Sequence, residues 1–366
     1  MSELIFGVMT GTSMDAIDVC LLEVEDGKPV RSKDFYSKPI SKNLRNTFLS
    51  LLTDGQNELE RSNLASIELS LNIAQIVNSI LKRNNLTPKK VLGIGVHGQT
   101  IRHNPEKLFT VQLCNPSIIS EKTKLTVVSD FRTKDIVAGG QGAPLAPLFH
   151  KEISKNNAPC VILNIGGIAN ITVIKKNNDD ISIEKAFDTG PGNCLLDLWC
   201  KKNFDKPYDN KGSLAKEGIL NNKLLKNMFS DPYFSKNSPK STGLNYFNED
   251  WINIKLRNFK NQIDKKNTQT TLTELTALSI AKNIPKDCFT IYVCGGGAKN
   301  FYLVERIESI TQCKVLSTYE IGWDPQIIEA ACFAWLALKA LNNEKLDLRT
   351  ITGSKRPTIL GNITFY

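Results

Sequence analysis

Two stretches hold the residue types best suited to chemistry. In one, Thr10-Gly11-Thr12-Ser13-Met14-Asp15 joins the apolar run Leu4–Met9 to the alternating run Ile17–Leu22. A turn of Gly, Thr and Ser bares backbone N–H groups and hydroxyls without bulk, which is what a phosphate chain needs from a backbone cradle. Asp15 and Asp18 stand beside it, carboxylates suited to reach Mg²⁺ through water and orient a transferred group. An ordinary polar hairpin turn has the same composition. In the other, Phe187-Asp188-Thr189-Gly190-Pro191-Gly192-Asn193 ends a strand-like run and precedes an apolar helix, so the Asp188 carboxylate projects from rigid support. Phosphoryl transfer needs one placed carboxylate to orient and deprotonate its nucleophile, electrostatics doing most of the rest. The competing reading is an Asx-turn or helix-capping aspartate before Gly and Pro.

Further polar groups gather where strands end. His97-Gly98-Gln99-Thr100 follows Val91–Val96 and suits a sugar's hydroxyls and amide, or is a strand-end loop around a satisfied histidine. Arg132 carries the fork that matches a carboxylate, or braces a loop. Asp135 is either a ligand or the partner of Arg132. Glu329, early on a long helix, either reaches a cleft or complements the helix dipole. Four glycine-rich turns are each expected after an apolar strand: Thr10–Ser13, Gly139–Gly142, Ile165–Gly167 and Gly295–Gly297. None has P-loop spacing or the dinucleotide fingerprint in its strand–helix context. Four in one chain point to a nucleotide held between two lobes, with Gly295–Ala298 either opening a helix onto an anion or making a tight turn.

The positioning elements can be read from periodicity. Strands are expected near Phe35–Ile40, Val91–Val96, Phe109–Leu113, Leu125–Val128, Cys160–Asn164, Asn170–Ile174, Ile181–Ala186, Phe289–Cys294 and Lys314–Leu316. Leu64, Ile67, Leu71, Ala74, Val77 and Leu81 form a helical stripe that Ile73, Ile76 and Ile80 widen. Pro116–Thr123, Leu272–Ala281 and Pro325–Leu341 are further helices, Ser129–Gly142 a loop, and the tail from Asp347 is without pattern. Strand, glycine turn, strand occurs at 4–23 and again at 160–174, which implies a duplicated, two-lobed α/β architecture. The lobes are expected at 1–128 and 129–366, the tail free to pack back on the first.

The 366 residues carry 46 Lys and Arg against 37 Asp and Glu, a net charge of +9, with 41% hydrophobic and 23% charged residues. The excess is spread over Lys/Asn-rich surface loops with no aromatic interleaving, so nucleic acid is not an expected partner. Nine cysteines without a Cys-x-x-Cys pair, and a first strand starting near residue 4, lead us to expect a reduced cytoplasmic protein with no membrane span. The three histidines lack zinc-site spacing.

Taken in order, the stretches Gly11–Asp18, His97–Thr100, Asp130-Phe131-Arg132, Gly139–Pro144, Asn164–Gly167, Phe187–Asn193, Pro239–Gly243 and Cys294–Ala298 resemble the anhydro-N-acetylmuramic acid kinases. The resemblance runs from about residue 5 into the tail and is weakest over 201–238. It implies the actin/hexokinase-like fold, a duplicated ribonuclease H-like arrangement with a mixed five-stranded sheet in each lobe. It also implies ATP- and Mg²⁺-dependent conversion of 1,6-anhydro-N-acetylmuramic acid and water to N-acetylmuramic acid 6-phosphate in cell-wall recycling. By the same resemblance Asp188 is the base that activates the water. Gly11, Thr12, Ser13, Met14, Asp15, Ala16, Ile17, Asp18, Asn164, Gly166, Gly167, Gly295, Gly296 and Gly297 bind ATP, with Mg²⁺ near Asp15. His97, Gln99, Thr100, Arg132, Asp135, Gly190 and Glu329 serve the sugar, Arg132 at its lactyl carboxylate. A kinase for another sugar, or an actin-like ATP switch or filament protein, remains the alternative, and a homodimer is left open.

Overall fold

The computed structural model describes residues 2–178, 180–238, 240–259 and 264–366. Contacts divide the chain into two compact units, Met1–Ile153 with Ile327–Tyr366, and Ser154–Gln326.

In the first unit β1 (Glu3–Thr10) pairs antiparallel with β2 (Ala16–Glu25), and β2 antiparallel with β3 (Lys28–Pro39). On its other edge β1 runs parallel to β4 (Ile94–Val96). The chain then forms a separate ribbon of β5 (Gln99–Asn104) and β6 (Phe109–Leu113) before returning to the sheet as β7 (Val127–Ser129), parallel to β4. A sixth strand, Asn362–Thr364, pairs antiparallel with β7, where five strands were expected. A strand as apolar as β1 is stable only with both faces covered. One cover is the Ile328–Leu341 helix, which lies on bare backbone: a Cβ at Gly7 would strike the Ala330 carbonyl, and one at Gly95 the Phe333 carbonyl. Glycine inside a strand marks this kind of close approach. The contact explains why 327–366 belongs with the first strands; the first unit also runs beyond the expected boundary at 128/129, through the Ala146–Ile153 helix.

On the other face lies Glu58–Arg83, 26 residues long and apolar enough by length and composition to cross a membrane, with over half of its most apolar window buried in the unit. Its packed face keeps Ala74, Val77 and Leu81 of the expected stripe and departs from it in the first half of the helix. Leu69, Ile73, Ile76, Val77 and Ile80 are buried, whereas Leu64 is 58% exposed and Ile67 and Leu71 also reach the surface.

In the second unit β8 (Cys160–Ile165), β9 (Ile168–Asn177) and β10 (Asp180–Pro191) form an antiparallel meander, while β11 (Thr290–Cys294) runs parallel to β8 and to β12 (Lys314–Ser317). The order β10-β9-β8-β11-β12 repeats β3-β2-β1-β4-β7 with the same directions. The fold is therefore the duplicated ribonuclease H-like, actin/hexokinase-like arrangement. Its second core gathers Leu163, Ile171 and Val293 with Leu272, Leu275 and Ile280 of the Lys265–Ala281 helix.

Candidate active site

The topology sorts the candidate residues. In the first unit the carboxyl ends of parallel β1, β4 and β7 carry the Gly11–Asp15 turn, His97 and Arg132. In the second, the carboxyl ends of β8, β10 and β11 carry Gly166–Gly167, Asp188–Asn193 and Gly295–Gly297.

The first turn is pinned by Met14. Its N–H donates to the Gly11 carbonyl (3.1 Å), its φ is +54°, and its side chain is buried in the same core as Ile17. A left-handed methionine is uncommon, and the buried side chain offsets the strain. Thr12 and Ser13 are thereby turned outward and are exposed. Met14 and Ile17, expected among the ATP-binding residues, thus have only backbone to offer. Asp15 Oδ1 accepts from Ser13 Oγ (2.6 Å) and from the Ala16 N–H (3.0 Å), which orders the turn. Asp18 is held above the usual carboxylate range, first by burial and then by the neighbouring Asp15 charge, with a Ser37 hydrogen bond opposing both.

His97 and Arg132, 35 residues apart in sequence, are one unit of structure. Arg132 donates Nε–H (3.0 Å) and Nη2–H (2.8 Å) to His97 Nε2, and Nη1–H to the Gly142 carbonyl (2.7 Å). Since Nε2 accepts, the bonding pattern assigns the imidazole proton to Nδ1. Burial, then the Arg132 charge, hold His97 well below its ordinary pKa, so the ring is a neutral acceptor. It packs on Phe333 with ring centres 4.7 Å apart. Burial also brings Arg132 down to about 10, opposed by Glu329 one helical turn before Phe333, and the guanidinium remains charged with two N–H groups to spare.

Asp135 exposes no surface. Its Oδ2 accepts from the Gly142 N–H (2.7 Å) and its Oδ1 from Thr352 Oγ1 (2.8 Å). The expected choice between ligand and Arg132 partner therefore resolves into a third role: Asp135 braces the loop whose Gly142 carbonyl holds Arg132. That loop follows the short helix Thr133–Val137, not a strand, and Gln141 N–H donates to the Thr352 carbonyl of the supposedly patternless tail (3.0 Å). Gln99 is likewise wholly buried, its Nε2 donating to the Thr100 carbonyl (3.3 Å) and its Oε1 without a partner among the described residues, so it underlies the ribbon instead of facing outward. Thr100 is half-exposed and accepts from Gln112 (3.2 Å).

In the second unit β10 extends beyond the expected strand and carries Asp188 within it, at a bulge where Asp188 faces Asn170 and Gly190 faces Ala169. Bulges re-aim side chains. Asp188 Oδ2 accepts from the Thr242 N–H (3.0 Å), and Oδ1 accepts no hydrogen bond among the described residues. The Asp188 N–H donates to the Lys240 carbonyl (3.1 Å) and its carbonyl accepts from Tyr233 Oη (2.8 Å). Burial pushes the carboxyl up to about 6, the Thr242 N–H opposing it. Tyr233 is fixed by Asp231, which accepts from the Tyr233 N–H (3.1 Å), Tyr246 Oη (2.7 Å) and Trp251 Nε1 (2.9 Å) and pairs with Lys255 (3.0 Å). None of this bracing was expected. Tyr233 lies within 201–238, where the family resemblance is weakest. The nearby signal in the sequence is the Pro239–Gly243 stretch, which supplies the Lys240 and Thr242 partners of Asp188 and whose Pro239 lies outside the described residues.

The remaining glycines meet at the same edge. Asn193 donates its N–H to the Gly166 carbonyl (2.8 Å) and Nδ2 to the Ile165 carbonyl (3.3 Å). Gly295 has φ +78°, donates to the Pro325 carbonyl (2.9 Å), and lies so close to Asn164 Oδ1 that a Cβ would overlap it. A 3₁₀ turn, Gly296–Lys299, follows, and the Phe301–Thr311 helix is capped by Asn300, whose Oδ1 accepts from the Leu303 N–H (3.1 Å). Of the two readings of Gly295–Ala298, the tight strand-to-helix turn is therefore the one the structure adopts, and the helix begins at Phe301. Among the described residues no three His, Cys, Asp or Glu side chains are grouped to hold a metal ion.

A family model described as anhydro-N-acetylmuramic acid kinase matches residues 3–366. A Coxiella burnetii protein of that name is 39% identical over 99% of this chain and 97% of its own length. One from Shewanella pealeana is 39% identical, with 97% of each chain covered. Among solved structures, component A of the (R)-2-hydroxyglutaryl-CoA dehydratase of Acidaminococcus fermentans is 11% identical, with TM-score 0.47 and coverage of 93% and 99%. On its match to that family model over nearly its whole length, and to relatives of the same description over theirs, the chain belongs to the anhydro-N-acetylmuramic acid kinase family.

Proposed function

We propose that this protein converts 1,6-anhydro-N-acetylmuramic acid, ATP and water into N-acetylmuramic acid 6-phosphate and ADP during recycling of cell-wall sugars. Family membership supports the substrate. The observation that carries the mechanism is Asp188: a carboxyl raised to about 6, with one oxygen fixed by Thr242 and the other open. A base with a pKa near working pH is both deprotonated and basic enough to act.

The substrate has no free 6-hydroxyl, because O6 is tied to C1. Water therefore attacks C1 as Asp188 takes its proton, the C1–O6 bond breaks, and O6 accepts the γ-phosphoryl group as its bond to the β-phosphate oxygen breaks. ADP leaves, and the proton on Asp188 returns to solvent. Thr12, turned outward by Met14, offers its hydroxyl to the phosphates and the Thr12–Ser13 turn its backbone N–H groups, the Ser13 hydroxyl being donated to Asp15. Asn164, Gly166, Gly167 and Gly295–Gly297 take the rest of the nucleotide. Arg132, presented by His97 and Gly142, meets the lactyl carboxylate, with Glu329 and Thr100 nearby on the same unit serving the sugar's polar groups. Asp15, with Oδ1 committed to the turn, fits Mg²⁺ reached through water, such an ion neutralising phosphate charge. Use of ATP assigns the reaction to the cytoplasm.

The test is ATP turnover with and without 1,6-anhydro-N-acetylmuramic acid, beside a panel of free hexoses. Turnover only with the anhydro sugar, with solvent oxygen appearing at C1, is expected. Turnover with a free hexose would leave an ordinary sugar kinase, and turnover indifferent to sugar an ATP switch.

A further inference from the structure

An open cavity of about 390 Å³ lies in the first unit, between the Thr133–Val137 helix and the C-terminal segment. Lys134, Lys345 and Arg356 line it, no acidic side chain does, and Val137, Pro357 and Ile359 give it apolar walls. Lys134 Nζ donates to the Gly361 carbonyl (2.8 Å), which holds the ammonium in place with N–H groups to spare. Neither Lys345 nor Arg356 has a carboxylate partner among the described residues. All three cations are exposed, so their mutual repulsion is softened by solvent, and an anion placed among them is favoured by the sum of their charges. A phosphate is the anion best matched by an Arg fork together with Lys point charges. Val137, 64% exposed at the end of its helix, would lose that exposure to an organic group.

We infer that this cavity binds the phosphate monoester of a small organic molecule, at a place separate from the Thr12–Ser13 turn. It also touches the bracing of Arg132. Thr133 and Lys134 directly follow Arg132. Lys355, next to Arg356, donates its N–H to the Ala138 carbonyl (2.8 Å), and Thr352 holds the Asp135 that fixes Gly142. An occupant therefore stiffens the support of a sugar-binding arginine from behind.

The experiment uses glucose 6-phosphate and inorganic phosphate as probes on the full chain, with a non-hydrolysable ATP analogue saturating the nucleotide site. Binding is read by calorimetry and located by amide hydrogen exchange. Glucose 6-phosphate is expected to protect 133–138 and 345–359, and K345A/R356A, whose melting temperature should match the parent's, to weaken that binding by at least about tenfold. No protection in those segments, or equal affinity in the double variant, overturns the inference. Inorganic phosphate binding as tightly as the ester overturns the role given to the apolar walls.

Discussion

Asp188→Asn separates the cost of a buried charge from its use. In the fold the carboxyl sits at about 6 against 3.8 when unperturbed, with burial as the main cause. A folded-state pKa above the unfolded one means the fold prefers the protonated form: that stabilisation is complete below about pH 4 and gone once pH rises past 6. At pH 7.5 the ionised Asp188 therefore costs the second unit up to roughly 3 kcal/mol, less what water reaching the half-buried side chain recovers. Asparagine keeps an acceptor for the Thr242 N–H and removes the charge. The variant should gain about 1–2 kcal/mol at pH 7.5, a Tm rise of a few degrees, and the gain should fade toward pH 4. Turnover should fall by about 10²–10⁴, the range for loss of a general base. The parent's kcat/KM should show an acid limb near pH 6, with activity lost as pH falls, and any residual activity of the variant should lack it. A variant that keeps more than a tenth of the parent's turnover, or the same acid limb, would refute Asp188 as the base. A variant that loses both activity and stability would show the residue to be structural.

Other perturbations reach different parts of the site. Arg132→Lys cannot reproduce the fork shared by His97 and Gly142 and should raise the sugar KM about tenfold or more, leaving that for ATP nearly unchanged; an effect on ATP alone would assign the arginine to phosphate. Gly295→Ala places a Cβ against Asn164 at φ +78° and should cost more than about 1 kcal/mol in denaturant titration while raising the ATP KM; a neutral result on both would remove the turn from the nucleotide site. Tyr233→Phe strips one hydrogen bond from the Asp188 carbonyl and should cost about 1 kcal/mol with a kcat loss well short of that of Asp188→Asn, measured side by side. A loss as large as that of Asp188→Asn would make the hydroxyl itself part of the chemistry.

Local chemistry makes much of this protein legible without coordinates. Alternating and continuous apolar runs specify the strands because a pleated chain has a side-chain period of two, and glycine-rich ends mark where the backbone must be bare. The repeat of strand, turn and strand at 4–23 and 160–174 carries the duplication, and Asp188 before Thr-Gly-Pro-Gly is conspicuous by type and place. What the sequence alone could not decide is which distant groups share a partner. His97 becomes the acceptor for Arg132 only because parallel β4 and β7 are neighbours, and Asp135 turns inward because a tail threonine meets it across more than two hundred residues of chain. The side of Glu58–Arg83 that is buried depends on the sheet it packs against. The C-terminal helix joins the first unit because Gly7 and Gly95 leave room for its backbone. Periodicity reports a residue's own neighbours along the chain, whereas burial, pKa and hydrogen-bond partners are properties of the packed sheet, and those only the tertiary structure supplies.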